Sequence, residues 1–178
     1  MDLNERKVRS ETIFDGKIIK VLKDQAELPN GSLAVREVVE HPGGVCVLAL
    51  DGDGNATLVR QFRYPIQQQL LELPAGKLEY GEDHYAAAVR ELSEETGLEA
   101  AEWTYLGYML SSPGFCTEKI HMYLAQNLKR QGQHLDEDEF LDLLVMPFET
   151  LVKQVMDNTI TDGKTAAATL KTKVLLGL

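Results

Sequence analysis

One segment constrains this chain more than any other: a glycine-containing turn that runs directly into an acidic helix, GKLEYGEDHYAAAVRELSEETGL at residues 76–98. Gly97 has the position of a C-terminal helix cap. Residues three and four apart share a helix face, so Glu91, Glu94 and Glu95 should project together. Repelling carboxylates on one face suit a hard divalent cation such as Mg²⁺, which prefers oxygen ligands. The alternative is an ordinary solvated acidic face, which the lack of matching lysines at helical spacing disfavours.

The fixed positions of this segment resemble the Nudix box. They are Gly76, Glu82, Arg90-Glu91-Leu92, Glu94-Glu95 and Gly97-Leu98. The resemblance implies a hydrolase that uses Mg²⁺, or alternatively Mn²⁺, to cleave a nucleoside diphosphate linked to another moiety. As metal ligands it implies Glu91, Glu95, Glu94 (directly or through water) and the backbone carbonyl of Ala75. Glu82 and Arg90 are expected to form a supporting ion pair, while Gly76 and Gly97 shape the motif.

Segments outside the box resemble the ADP-ribose pyrophosphatase subgroup. They are VRQFRYP at residues 59–65, ELPAGK at 72–77, DEDEF at 136–140 and the loop around Pro113, fifteen residues beyond Leu98. The resemblance covers the chain from about residue 14 onward and implies hydrolysis of ADP-ribose to AMP and ribose 5-phosphate. GDP-mannose or another nucleotide sugar is the alternative substrate. A non-catalytic ligand-binding regulator is the alternative class of protein.

The same resemblance suggests which residues contact the substrate. Arg63 would bind a substrate phosphate, and Arg36 would lie near the adenine or the phosphates, presented in a dimer by the other subunit. Glu118 would hydrogen-bond the terminal ribose. Both arginines have a plainer alternative as exposed residues of alternating strands.

Acidic residues between the last two predicted strands are candidates for the proton transfer. The resemblance favours Glu137 as catalytic base and Glu139 as a further metal ligand, with Glu94 completing the catalytic set. Asp136 and Asp138 stay open as alternatives, because the register through a loop is not determined. An acidic loop that is merely solvated is the remaining alternative.

Composition and charge limit the partners of the chain. Its 178 residues, 44% of them hydrophobic, suit one globular domain. The net charge of −10 argues against a nucleic-acid or anionic-membrane surface. The N-terminal MDLNERKVRS lacks the apolar core of a signal peptide, and no apolar run is long enough to span a bilayer. We therefore expect a cytoplasmic protein, and the resemblance implies a nucleoside diphosphate sugar as its main partner.

The order of predicted elements indicates an α/β fold. Residues 1–42 form an N-terminal antiparallel β unit, with extended segments at 12–28 and 32–40 that could also pair across a homodimer. Residues 43–178 form the Nudix domain, in which strand 45–50 is apolar nearly throughout and so buried on both faces. Further strands and two late helices, from Pro147 and from Thr161 or Asp162, complete a mixed sheet flanked by helices. This order agrees with the Nudix-type α/β/α sandwich that the resemblance implies.

Overall fold

The structure is a computed structural model that describes residues 2–79, 81–132 and 140–178. The chain divides into two compact units. The first comprises Met1–Gly43 and Leu110–Lys119, and the second comprises Gly44–Met109 and Ile120–Leu178. In the described ranges no helix combines the length and the apolar character needed to cross a membrane.

The first unit contains an antiparallel sheet in the order β1-β2-β3, with β1 at Arg6–Asp15, β2 at Lys20–Glu27 and β3 at Leu33–Glu40. The predicted N-terminal antiparallel β unit is therefore confirmed. Its details differ from the prediction, because a turn at Gly16 divides the segment that was expected to be one extended arm. Every residue of β1 is exposed, so its sequence has no apolar alternation by which a strand could be recognised.

The second unit is built on a mixed sheet in the order β10-β5-β4-β9-β8. Its strands are β4 (Gly44–Leu50), β5 (Asn55–Arg63), β6 (Gln68–Glu72), β7 (Ala75–Lys77), β8 (Leu98–Leu110), β9 (Lys119–Arg130) and β10 (Leu141–Pro147). Strand β4 runs parallel to β9 and antiparallel to β5. All seven residues of β4 are buried, as its uninterrupted apolar sequence predicts.

Helices cover both faces of this sheet: α1 at His84–Thr96, α2 at Phe148–Met156 and α3 at Gly163–Leu176. Alternate residues of β4 point to opposite sides. Val45, Val47 and Ala49 belong to the cluster that includes Ala87, Ala88 and Leu92 of α1. Cys46, Leu48 and Leu50 belong to the cluster that includes Leu151, Val152 and Ala168 of α2 and α3. This arrangement confirms the expected α/β/α sandwich.

One edge of β4 positions the turn that precedes α1, the helix of the Nudix-like motif, which we call the box helix. Strand β5 pairs with β4 at Ala49 and Leu50, whereas β7 pairs with it at residues 44–46. Between these two pairings, the amide of Val47 donates to the carbonyl of Pro74 at 2.9 Å. The segment that leads into the Nudix-like motif is thus bound along a buried central strand.

Candidate metal-binding active site

Helix α1 has defined ends, which set the direction of its acidic face. Asp83 caps the N-terminus, where its Oδ1 accepts the amides of Tyr85 at 3.0 Å and Ala86 at 3.1 Å. Gly97 ends the helix in the left-handed conformation at φ 66°, a backbone geometry that glycine adopts without steric cost. The helix predicted from the sequence is therefore present with the predicted C-terminal cap.

Gly76 is required by close packing against the first of the three glutamates. A Cβ atom at this position would lie 1.9 Å from both Cδ and Oε1 of Glu91. Gly76 does not have a positive φ. A larger residue is therefore excluded at this position by the collision with Glu91 and not by the backbone conformation. The side chain of Glu91 is consequently held in a narrow, largely buried position, with 7% of the residue exposed.

Glu95 is held by the residue before this glycine. The amide of Ala75 donates to Oε2 of Glu95 at 2.8 Å, and only 2% of Glu95 is exposed. The resemblance assigns the metal to the carbonyl of Ala75, whereas this hydrogen bond uses its N–H, so the two roles are compatible. Residues 75 and 76 thus contact two carboxylates that lie one helical turn apart on α1.

Arg90 contacts three glutamates of the motif. Its Nε and Nη2 donate to the two oxygens of Glu82 at 3.0 and 3.1 Å, which is the ion pair expected from the sequence. Its Nη1 donates to Glu91 at 2.8 Å and to Glu94 at 3.0 Å. The hydrogen bonds from Arg90 lower the pKa of Glu82, and the hydrogen bond to Glu82 together with the nearby glutamates raises the pKa of Arg90.

The contacts of Arg90 decide how the carboxylates are arranged. Within the part of the chain that the structure describes, no three His, Cys, Asp or Glu side chains have a geometry that could hold a metal ion. Glu91 and Glu94 are directed to the guanidinium, and Glu95 is directed to the amide of Ala75. The donor chemistry nevertheless fits a hard divalent cation, because three carboxylates share one helix face and two of them are buried.

A second charged cluster was not predicted from the sequence. Arg63 donates to both oxygens of Glu72, at 2.8 and 2.7 Å, and Lys164 donates to Glu72 and, at 3.0 Å, to Asp162. Burial would raise the pKa of Glu72, but the hydrogen bonds from Arg63 and Lys164 bring it below its ordinary value. A glutamate within the apolar run LLELP was the one signal in the sequence. Arg63 is therefore part of an ion pair rather than an ordinary exposed strand residue.

Two further predicted substrate residues, Arg36 and Glu118, belong to the first unit, whereas α1 belongs to the second. Arg36 pairs with Glu5 through two hydrogen bonds of 2.9 and 2.7 Å, and Glu118 lies 3.4 Å from Nδ1 of His41. Both contacts are internal to the first unit, and the substrate roles of Arg36 and Glu118 stay predictions. Glu137 and Glu139, with Asp136 and Asp138, lie outside the described residues.

Comparison with known proteins identifies the class. The NUDIX domain family matches residues 40–167, and the family described as nucleoside diphosphate sugar hydrolase N-terminal domain matches residues 5–39. The first match covers more than half of the chain. Together with the glycine turn and the glutamates of α1, it shows that this chain belongs to the Nudix family and is a Nudix hydrolase. Enzymes of this family with ADP-ribose pyrophosphatase activity depend in general on a divalent metal.

Individual relatives extend the comparison over most of the chain. The ADP-ribose pyrophosphatase of Bacillus subtilis (strain 168) is 42% identical over 168 residues, which are 93% of this chain and 91% of the relative. The methanol dehydrogenase activator of Bacillus methanolicus is also 42% identical, over 92% of this chain and 90% of the relative. A crystal structure described as ADP compounds hydrolase matches with a TM-score of 0.87 and 23% identity, covering 99% of this chain and 97% of that one. This last likeness supports the fold.

Proposed function

We propose that this chain is a divalent-metal-dependent pyrophosphohydrolase that cleaves ADP-ribose to AMP and ribose 5-phosphate, or cleaves a related nucleoside diphosphate sugar to the corresponding nucleoside monophosphate and sugar phosphate. The observation that carries the proposal is the packing of two buried glutamates of α1, Glu91 and Glu95, against the backbone of residues 75–76. The preference for ADP-ribose is supported by the B. subtilis relative, whose similarity extends over 93% of this chain.

In the proposed mechanism the box helix supplies the ligands. Glu91, Glu94, Glu95 and the carbonyl of Ala75 would hold Mg²⁺, with Mn²⁺ as the alternative. A bound ion would neutralise the diphosphate and activate the attacking water. Because Glu82 binds Arg90 through both oxygens and also accepts the amide of Glu79 at 2.9 Å, this pair keeps the turn before α1 in place.

Residues outside the helix act on the substrate and on the proton. The guanidinium of Arg63 would bind a phosphate oxygen, and its two hydrogen bonds to Glu72 fix the plane in which it is presented. Glu137 would take the proton of the water that attacks phosphorus, while the opposite P–O bond breaks. Glu139 would add a ligand to the ion, and Arg36 and Glu118 would contact the remainder of the nucleotide sugar.

The direct test is hydrolysis of a substrate panel by the purified protein. ADP-ribose, GDP-mannose and other nucleotide sugars are incubated with Mg²⁺, with Mn²⁺ or with excess EDTA, and the products are separated by ion-exchange chromatography. We expect AMP and ribose 5-phosphate from ADP-ribose, and no turnover with EDTA. Faster cleavage of GDP-mannose would instead select the alternative substrate.

The assignment of the metal ligands has its own test in Glu91→Gln and Glu95→Gln. Each variant should lose turnover by about 10²- to 10³-fold, since an ion stabilises the transition state by several kcal/mol. Glu149→Gln is the matched control, because Glu149 is an exposed glutamate that pairs with Lys173 on the surface. Circular dichroism checks that the variants are folded. Near-normal turnover of either box variant would refute its role as a ligand.

A second candidate function follows from the B. methanolicus relative. Its name, methanol dehydrogenase activator, supports a protein that acts on a partner dehydrogenase, and a ligand-binding regulator without turnover would be one form of this function. Calorimetric titration with each nucleotide of the panel separates the two candidates. Binding without product formation for every nucleotide would favour the regulator.

We also propose a cytoplasmic homodimer formed through the N-terminal strands. Several large apolar side chains of this unit are exposed, namely Val8, Ile13, Phe14, Leu33 and Val35, and a second copy of the chain could cover them. Light scattering coupled to size-exclusion chromatography measures the mass in solution. A monomer at micromolar concentration would reject the dimer.

A further inference from the structure

Five consecutive residues that lead into the box helix are each fixed by a different contact. Glu72 forms ion pairs with Arg63 and Lys164. The amide of Leu73 donates to Oγ1 of Thr165 at 2.9 Å, and the carbonyl of Pro74 accepts from the amide of Val47 at 2.9 Å. The amide of Ala75 donates to Glu95 at 2.8 Å, and Gly76 packs against Glu91. Two of the five, Glu72 and Leu73, are therefore held by helix α3. The last two contact the proposed metal ligands.

The first turn of α3 is itself tightly organised. Oδ2 of Asp162 accepts the amide of Thr165 at 2.9 Å and its hydroxyl at 2.6 Å, which caps the helix. Oδ1 of the same carboxylate accepts from Nζ of Lys164 at 3.0 Å. Thr165 is fully buried. The cap thus orients both Lys164 and the Thr165 hydroxyl, which accepts the hydrogen bond from the Leu73 amide.

Lys164 forms a buried ion pair with Glu72. The side chain of Glu72 is 0% exposed and that of Lys164 is 11% exposed, so neither charge is solvated well by water. A buried carboxylate is tolerated only when it is paired and hydrogen-bonded. Arg63 satisfies the Glu72 oxygens from β5, and its own side chain is 39% exposed. The ammonium of Lys164 supplies the more deeply buried part of the pairing.

We propose that Lys164 is a positioning residue for the metal-binding carboxylates: its ion pair with buried Glu72 fixes the first residue of the segment 72–76, and so contributes to where the backbone of Ala75 and Gly76 meets Glu95 and Glu91. The assumption that these glutamates bind the ion rests on the proposed function. The mechanical link from α3 to the amide of Ala75 does not.

The distance over which this link acts is short. Glu72 and Ala75 are three residues apart, which is at most about 10 Å of extended chain. Without the ammonium, Glu72 would have to move towards water or draw water in, because a buried carboxylate is costly with fewer partners. We expect part of such a movement to reach the amide of Ala75, although Leu73 and Pro74 between them have hydrogen bonds of their own.

The test compares Lys164→Met with Lys173→Met. Both lysines lie on α3, but Lys173 pairs with exposed Glu149, so it controls for loss of a lysine from this helix. The first readout is hydrogen exchange of the Ala75 amide by NMR, measured with excess EDTA, which needs neither metal nor substrate. The second is Mn²⁺ affinity from electron paramagnetic resonance. For Lys164→Met we expect Ala75 exchange to accelerate and Mn²⁺ affinity to fall by about tenfold, the usual effect of removing a residue that supports a metal ligand. Lys173→Met should match the unmodified protein in both.

A Lys164→Met protein that loses thermal stability but keeps normal Ala75 exchange and Mn²⁺ affinity would overturn the proposal, because Lys164 would then only stabilise the fold. If this variant does not fold, the same readouts are taken on Lys164→Gln, whose amide can still donate to Glu72. A smaller change in the same direction is expected, and no change would again reject the idea. Unaltered Mn²⁺ affinity in Glu95→Gln would refute the metal site of the proposed function, whereas Ala75 exchange would still test the link from α3.

Discussion

Gly76→Ala is the substitution that tests the site geometry without changing any charge. The backbone of Gly76 does not have a positive φ, so alanine can adopt it without strain. The new methyl group would lie 1.9 Å from the carboxyl carbon of Glu91, whereas ordinary contact begins at 3.4 Å. Glu91 must therefore move by about 1.5 Å if the backbone stays in place.

The magnitude of the effect follows from this displacement. Glu91 would lose its 2.8 Å hydrogen bond from Arg90, and a hydrogen bond to a charged group contributes about 2 kcal/mol to the free energy of unfolding. For a chain of this length the melting temperature should fall by about 4 to 8 °C. Turnover should fall much further, by about 100-fold, because a misplacement of about 1 Å in a catalytic site can have that effect.

The assay is steady-state hydrolysis of ADP-ribose over a range of Mg²⁺ concentrations, beside thermal unfolding of the same samples. Gly52→Ala is the matched control, since a Cβ at Gly52 meets no atom within 4 Å and its φ is not positive. It should leave both turnover and melting temperature unchanged. Gly76→Ala with normal turnover and normal Mg²⁺ dependence would show that the position of Glu91 is not critical, and the reasoning would be wrong.

Two further predictions concern residues near the helix and in the acidic segment. The hydrogen bonds from Arg90 lower the pKa of Glu82 from its ordinary 4.5, so the stability from this pair is present above about pH 4.5 and is lost as the pH falls through the lower folded value. Glu82→Gln should therefore make the free energy of unfolding depend less on pH below about pH 4.5. An unchanged pH dependence in this range would contradict the prediction. Glu137→Gln and Glu139→Gln, measured separately, should reduce turnover, the former more strongly; equal rates close to those of the unmodified protein would remove both from the mechanism.

The fold was largely predictable because its central elements bury their side chains in regular patterns. Strand β4 could be recognised from an uninterrupted apolar run, and α1 from its glycine cap. Residues 6–11 of β1 were missed, because an exposed strand that is paired on one edge obtains its stability from backbone hydrogen bonds and leaves no apolar alternation.

The site was predictable only in part. The contacts that were not predicted join residues that are far apart in the sequence. Glu91, Glu94 and Glu95 are neighbours on one helix, so their spacing reveals their common face. The contact of Lys164 with Glu72 joins residues 92 positions apart, and no local pattern can indicate that such residues will meet. Arg90 shows a different limit. Its pair with Glu82 was expected from the box, but whether one guanidinium also reaches Glu91 and Glu94 depends on rotamers that the sequence does not determine.

The arrangement around Arg90 explains why this helix can be folded and still attract a cation. Three carboxylates contact one guanidinium, so these four side chains carry a formal net charge of −2, and Glu95 lies one turn away on the same helix. Carboxylates that contact the same guanidinium repel one another. A second arginine would remove this repulsion and, with it, the attraction for a divalent ion. A single arginine instead holds the carboxylates close together while leaving them anionic, and a diphosphate, which is itself anionic, can approach such a face only when a cation lies between them.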